Sequence, residues 1–331
     1  METKQYIGKL TDDAVMSCSR LPALLGYSPW SSPNDELKSS LEARGHKFKT
    51  PSAGFSGNEA ADHGNNLEGY ILVEGARRLG LEIDAEITER VEAQDIPLQG
   101  SLDGILYGNG RTLKTDPARG IYCYNADSVT LDGCGVAEAK LTNDIAGKEP
   151  RAYRGPWQCQ GLQICTGYTW HAIFTFFRGT ELRIFLGVGD AAAQAKIRHD
   201  VMDFQSRIDL FRQDGVTDWY PAMTPNDASN TYERADDDLP DLRLSGSIND
   251  TARELLQLRR QKADIEKRIA AVQTEIMDHM GSHSTAWVMD GDRASAKLTW
   301  GMSPASKEYT VKARPAARGK SLRVKEMNND K

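Results

Sequence analysis

The pattern that most narrows the fold lies between two helical segments. Residues 171–177 and 181–188 are apolar, strand-like runs joined by Arg178-Gly179-Thr180, which predicts a β-hairpin. A helix over about 154–166 precedes them, carrying Trp157, Gln158, Gln160, Leu162 and Ile164. Another over 191–213 follows, with Ile197, Val201, Phe204, Ile208 and Phe211 on one side. Upstream, a helix over about 66–79 ends at Gly80, and strand-like pieces occupy 81–87, 98–107, 129–131 and 136–141. The order helix, strands, helix, strands, helix predicts an α/β core, a central mixed sheet flanked by helices.

The ends of the chain add to that core. Leu21, Leu24 and Leu25 predict a short helix stopped by Gly26, and Asp35 is read as the cap of a helix over 36–43 that Gly45 stops. Residues 46–63 form a polar connection. The segment 107–135 holds five glycines and reads as an elaborated hairpin or an insertion between core strands. Residues 214–248, rich in Pro, Asp and Ser, read as a linker. Beyond it Leu255, Leu258, Lys262, Ile265, Ile269, Val272, Ile276 and His279 keep a 3,4 spacing, a seam of about four heptads capped by Asn249 or Asp250 and stopped by Gly281. Such a helix can form a coiled-coil dimer, although a seam this short more often packs on its own domain. A hairpin around Asp290-Gly291-Asp292 and a basic tail close the chain. The partition is therefore a core over 1–213, a linker over 214–248, and a helix, hairpin and tail over 249–331.

No apolar run approaches the ~20 residues that span a bilayer, and the polar start is unlike a secretory signal. A cytoplasmic protein without membrane partners is expected. The cysteines at 18, 123, 134, 159 and 165 form no Cys-x-x-Cys pair, so reduced core thiols are expected. Net charge is −6, but residues 297–325 hold eight Lys or Arg against one Glu, leaving an acidic body with a basic tail.

The chemistry centres on Glu138-x-Lys140, two residues on one strand face, with Asp103 upstream in a Ser101-Leu102-Asp103-Gly104 turn. Two carboxylates suit a hard divalent cation, and an adjacent ammonium suits phosphodiester cleavage. Glu-x-Lys alone is commonplace and would usually be a solvated strand face. The order of Glu68 on a helix, Asp103, Glu138, Lys140 and then a Gln-rich helix is more specific.

That ordered set resembles the PD-(D/E)XK nuclease superfamily and, within it, the YqaJ-like viral recombinases related to phage lambda exonuclease. Ser19 to Trp30 (SRLPALLGYSPW) is similar to the family's N-terminal motif, His63 to Glu68 (HGNNLE) to its Gly-x-x-x-Glu helix start, and Trp157 to Gln163 (WQCQGLQ) to its Gln-x-Gln helix. Leu102 stands where the family usually has Pro, and 34 residues separate Asp103 from Glu138, more than is typical. Asp116, Asp127 and Asp132 therefore compete with Asp103, which is preferred for its turn. The resemblance implies a PD-(D/E)XK-like core with a C-terminal long helix and β-hairpin extension. It implies Mg²⁺, with Mn²⁺ as a substitute, held by Asp103, Glu138 and the Ala139 carbonyl, and Glu68 on a second ion or a bound water. Lys140 would orient the attacking water, assisted by Gln158 or Gln160. Ser19, Arg20 and Ser28 are candidates for a terminal 5′-phosphate, with helix capping as the plain alternative for Ser19. Trp30 would stack on a base, against the alternative of core packing. Lys312, Arg314, Arg318, Lys320, Arg323 and Lys325 would track phosphates or simply solubilise the surface.

The implied activity is a DNA exonuclease of phage-type recombination in a bacterial host cell. It would digest linear duplex 5′ to 3′, leave a 3′ single strand for an annealing protein, and work as a homo-oligomer. The alternatives are a structure-specific endonuclease of the same superfamily and an inactive DNA-binding module.

Overall fold

The computed structural model describes residues 11–48, 59–232 and 240–300. The basic tail from Lys312 to Lys325 lies outside the described residues. Contacts divide the chain into two compact units, Met1–Glu233 and Arg234–Lys331.

In the first unit β1 (Met16–Ser17) leads through one 3₁₀ turn into α1 (Leu21–Leu24), α2 (Pro33–Ala43) and α3 (Glu59–Leu79). Strands β2 (Glu82–Asp84), β3 (Arg90–Glu92), β4 (Leu98–Ser101), β5 (Gly104–Tyr107), β6 (Thr112–Lys114), β7 (Ile121–Cys123), β8 (Ser128–Thr130) and β9 (Cys134–Thr142) follow. Next come α4 (Pro156–Thr166), β10 (Trp170–Phe177), β11 (Glu181–Val188), α5 (Ala191–Asp214) and α6 (Pro225–Thr231).

The main sheet has the order β2-β5-β9-β10-β11-β7. It is mixed, as the element order predicts: β5 runs antiparallel to β9, β9 parallel to β10, and β10 antiparallel to β11 across the predicted turn. Strand β10 is buried along nearly its whole length because helices cover both faces of the sheet. On one face Ile71, Leu72, Ala76 and Leu79 of α3 share a core with Leu106, Ala137, Phe174 and Ile184. Gly75 is the point of closest approach, where an added Cβ would stand 2.6 Å from the Phe174 ring. On the other face Leu21, Leu37, Leu162, Ile197, Val201 and Phe204 pack with Val136, Ile173 and Phe185.

Several boundaries differ from the sequence reading. Helix α3 begins at Glu59, two turns before Asn66, because 59–65 supplies helix-forming alanines and first-turn acids. Glu68 therefore lies mid-helix, not at the positive end. Helix α2 is capped by Ser32, whose hydroxyl accepts the Asp35 N–H at 3.1 Å while the Asp35 carboxylate accepts the Ser32 N–H at 2.9 Å, a capping box in which Asp35 is the third helical residue. Helix α4 starts at Pro156 behind Gly155. The run 98–107 is two strands, not one. Strand β4 pairs with β1 and β3 in a separate three-stranded sheet, and β5 enters the main sheet after a corner at Leu102 and Asp103.

The 107–135 insertion forms the β6–β8 ladder and lends β7 to the edge of the main sheet, parallel to β11. Its Arg111 and Arg119 donate to the carbonyls of Leu79 and Arg78, satisfying acceptors at the C-terminus of α3. Part of the proposed linker is also folded. Asp227 of α6 is buried and accepts from the Ser32 hydroxyl and the Met223 N–H, both at 2.8 Å, while Asn34 bonds the Tyr220 backbone in both directions.

In the second unit α7 (Gly246–Met280) is followed by the antiparallel pair β12 (Thr285–Asp290) and β13 (Arg293–Thr299). The cap of α7 is Ser245, earlier than Asn249 or Asp250, and Gly281 ends it with a positive φ of 53°. Of the heptad seam, Leu258, Ile265, Ile269, Val272 and Ile276 are exposed and Leu255 is half-buried. Among the described residues no helix is long and apolar enough to cross a membrane.

Candidate active site

Strand β9 carries Glu138 and Lys140 on the face that α4 covers, and the pairing sets Glu138 beside Ile173 and Lys140 beside Thr175 of β10. The corner between β4 and β5 turns Asp103 toward this strand, where its Oδ2 accepts the Ala139 N–H at 2.9 Å. Lys140 Nζ donates to Glu138 Oε1. Asp103, Glu138 and Lys140 are thereby one group, and it is Asp103, not Asp116, Asp127 or Asp132, whose charge acts on Glu138.

Glu138 is 1 % exposed, and its Oε2 has no hydrogen-bond partner among the described residues. Burial, then the neighbouring Asp103 carboxylate, push its carboxyl up to about 8, with Lys140 opposing. For Lys140 burial works against the charge, but the Glu138 and Asp103 carboxylates overcome it and raise the ammonium to about 12. Lys140 is a charged donor, not a base. An orphaned buried carboxylate oxygen beside a second carboxylate fits a hard cation that would supply the missing partner. Among the described residues no three His, Cys, Asp or Glu side chains gather as a metal cage.

Helix α4 resolves the two glutamines. Gln160 is buried and turned away from Glu138, donating to the Val188 carbonyl at 2.8 Å and accepting the Asp190 N–H at 2.9 Å. Gln158 shares its helix face with Gly155, which abuts Ile173, and Leu162, which abuts Gly100. It is half-buried with no side-chain hydrogen bond among the described residues.

Sequence reasoning missed Cys159. Burial raises its thiol well above the usual range, and Glu138 and Asp103 add to that while Lys140 opposes, so it faces the acidic pair as an un-ionised thiol. It also missed a buried chain in which His171 meets the Tyr124 hydroxyl at 2.6 Å and the Gln163 side chain at 3.1 Å. Burial pushes His171 down to about 3, so it is neutral. Both depend on contacts between distant elements, for which a single sequence carries no signal.

The candidate phosphate residues are differently employed. The Arg20 guanidinium, with 12 % of its side chain exposed, pairs with Glu36 and donates to Asp13 O at 2.9 Å, Glu36 O at 2.8 Å and the Ser40 hydroxyl at 2.9 Å. These contacts bind the N-terminal loop to α2 and leave no free edge for a phosphate. The exposed Ser19 contacts the Ser17 hydroxyl at 3.1 Å and caps no helix, and Ser28 accepts the N–H groups of Trp30 and Ser31. Trp30 is 69 % exposed, which excludes core packing. Tyr153 meets its ring edge-on, with centroids 5.0 Å apart, and the Arg154 guanidinium lies 5.3 Å from its centroid. Arg154 also lines a cleft of about 300 Å³ with Thr142, Thr175, Phe177 and Arg151, one side-chain row beyond Lys140.

No family model matches the chain, and no curated protein does. Among solved structures the chain is similar to an alkaline exonuclease from Laribacter hongkongensis at 15 % identity, over 62 % of this chain and 94 % of that one, with a TM-score of 0.40. It is also similar to a phage related exonuclease from Haemophilus somnus 129PT at 17 % identity, over 61 % and 96 %, with a TM-score of 0.40.

Proposed function

We propose that this chain is a metal-dependent deoxyribonuclease of the PD-(D/E)XK type that acts as an exonuclease on linear duplex DNA. The observation that carries the reading is the union of Asp103, Glu138 and Lys140 across a chain corner, with one buried Glu138 oxygen left without a partner among the described residues. The cation, Mg²⁺ or its substitute Mn²⁺, would be held by Asp103, Glu138 and the Ala139 carbonyl. When bound it supplies a Lewis acid that lowers the pKa of water and offsets phosphate charge.

The chain's own groups do the rest. Lys140, held as an ammonium, donates to the attacking water or to a phosphate oxygen and offsets negative charge as it develops. Gln158 orients that water. The water oxygen bonds to phosphorus and gives up its proton to solvent as the P–O3′ bond breaks, and the O3′ takes a proton from solvent and leaves as a hydroxyl, releasing a nucleotide with a 5′-phosphate. Trp30 and Arg154 offer a stacking face and a cation to an unpaired nucleotide near the cleft. Digestion from the 5′ end, a 3′ single strand passed to an annealing protein, a homo-oligomer and a role in phage recombination inside a bacterial cell follow from the motif resemblance. Glu68 at a second ion belongs to the same proposal.

The test is digestion of end-labelled linear duplex beside a closed circle in Mg²⁺, by the wild type and by Lys140→Ala. End-dependent release of 5′-mononucleotides, lost in the variant and in chelator, is expected. Cleavage of the circle would assign an endonuclease instead, and binding without any cleavage would assign an inactive DNA-binding module.

A further inference from the structure

Three of the cysteines, Cys18, Cys159 and Cys165, gather where the 3₁₀ turn Cys18–Arg20 packs against α4, and all three are free thiols. Cys159 faces the acidic pair of the site. The other two face each other: Cys18 Sγ lies 3.9 Å from Cys165 Sγ, across 147 positions of sequence. Cys18 is 1 % exposed, whereas Cys165 is half-buried and open to solvent on one side.

Two glycines make this meeting possible. Gly161 stands one turn before Cys165 on the same face of α4, and Gly100 lies on β4, which packs against that helix. A Cβ added at either would stand 3.0 Å from Cys18 Sγ, so a larger residue would push that sulfur out of place. With both bare, the sulfur seats between β4 and α4 and reaches Cys165. Core packing asks only that a small apolar side chain fill the space. It does not ask that two thiols from distant segments meet with one of them open to solvent. A disulfide bond is about 2.05 Å long, so the sulfurs must close by about 2 Å, a displacement of the size that turning one side chain supplies.

We propose that Cys18 and Cys165 are a redox-responsive dithiol that closes to a reversible disulfide on exposure to a small-molecule disulfide of the oxidised-glutathione type. Cys165, the accessible sulfur, reacts first. Its sulfur bonds to one sulfur of the oxidant, the oxidant's S–S bond breaks, and the departing thiolate takes up the proton that Cys165 gives. Cys18 then bonds to Cys165 Sγ, the mixed disulfide breaks, and the second glutathione leaves with the Cys18 proton. Two cysteine thiols are oxidised, and one disulfide is reduced to two thiols. Burial, with the neighbouring Cys165 adding to it, raises the Cys18 thiol well above its usual range, so Cys18 waits un-ionised for its partner. The product fastens the 3₁₀ turn to α4, the helix that covers Glu138 and Lys140, and it restrains the unfolded chain by a long closed loop. None of this depends on the nuclease reading.

The test is incubation of the full chain with oxidised glutathione, then mass spectrometry of an unreduced proteolytic digest beside thermal melts. In the wild type the peptides carrying Cys18 and Cys165 should be joined, should separate in dithiothreitol, and the joined protein should melt several degrees above the reduced one. Cys18→Ser should stop with glutathione on Cys165, and Cys165→Ser should keep Cys18 as a free thiol, neither showing the rise in melting temperature. A wild type whose Cys165 holds glutathione without releasing it, whose Cys18 pairs with Cys159 instead, or whose two peptides are joined at no oxidant concentration would each overturn the proposal.

Discussion

Replacing Glu138 by Gln should make the metal-free protein more stable as it removes nuclease activity, and the pH dependence of the gain follows from burial. The wild-type carboxyl titrates at about 8 in the fold against 4.5 when free. Between those values the native state holds a proton that the unfolded chain has released, so stability falls as pH rises from 4.5 to 8 and levels off above. At pH 7 the unfolded carboxyl has gained about 2.5 pH units of ionisation free energy, about 3 kcal/mol, and at pH 5 under 1 kcal/mol. The raised Lys140 pKa acts only above 10.5 and leaves this window unaffected. Glutamine keeps the shape and an acceptor for Lys140 but does not ionise. The stability of Glu138→Gln minus that of the wild type should therefore rise by about 2 kcal/mol from pH 5 to pH 7, roughly 4–8 °C in Tm for a unit of this size. Thermal melts of both proteins in chelator across that range measure it. Adding Mg²⁺ should then stabilise the wild type alone, by about 3 kcal/mol at a hundredfold excess over Kd. A difference that stays flat with pH, or falls, would show that Glu138 is not held as a buried acid.

Two further substitutions separate structural from DNA-contacting roles near the N-terminus. Arg20→Ala should cost about 2–3 kcal/mol in a urea melt, because it strips the partner from Glu36 and donors from two backbone carbonyls. Unchanged stability with lost preference for 5′-phosphorylated ends would instead make Arg20 a phosphate ligand. Trp30→Ala should leave the melt within about 1 kcal/mol of the wild type, whereas anisotropy should show roughly tenfold weaker binding of a duplex with an unpaired end. The reverse pattern, a lower melt and unaltered binding, would make Trp30 a packing residue.

The elements legible in the sequence were those whose patterns are local. The hairpin of β10 and β11 needs only its two apolar runs and the Arg178-Gly179-Thr180 turn, and α5 needs only its periodic apolar face with the following Gly215. The start of α3 was obscured because Glu59 to Asn65 shows no apolar stripe and includes Asp62, His63, Gly64 and Asn65, which have weak helix propensity. The α6 segment was read as a linker for a related reason. It is held by buried polar bonds between Asp227 and Ser32 and between Asn34 and Tyr220, and polar pairing across about 190 positions leaves no periodicity to see.

The same distinction explains the site. Glu138 and Lys140 were legible because strand geometry alone puts alternate residues on one face. Asp103 was ambiguous because its place depends on a corner that the apolar run 98–107 conceals. Leu98 and Leu106 are both core residues, yet they belong to different sheets and to different apolar clusters. The corner at Leu102 and Asp103 lets both be buried while the carboxylate reaches the Ala139 N–H. That hydrogen bond joins the corner to the centre of the main sheet, and it fixes the carboxylate where its charge acts on Glu138. The 34-residue separation that made Asp103 doubtful is accommodated because β5 and β9 are paired neighbours, with Gly104 opposite Ala137. The insertion leaves and re-enters at the far end of that ladder, beyond Tyr107 and Cys134.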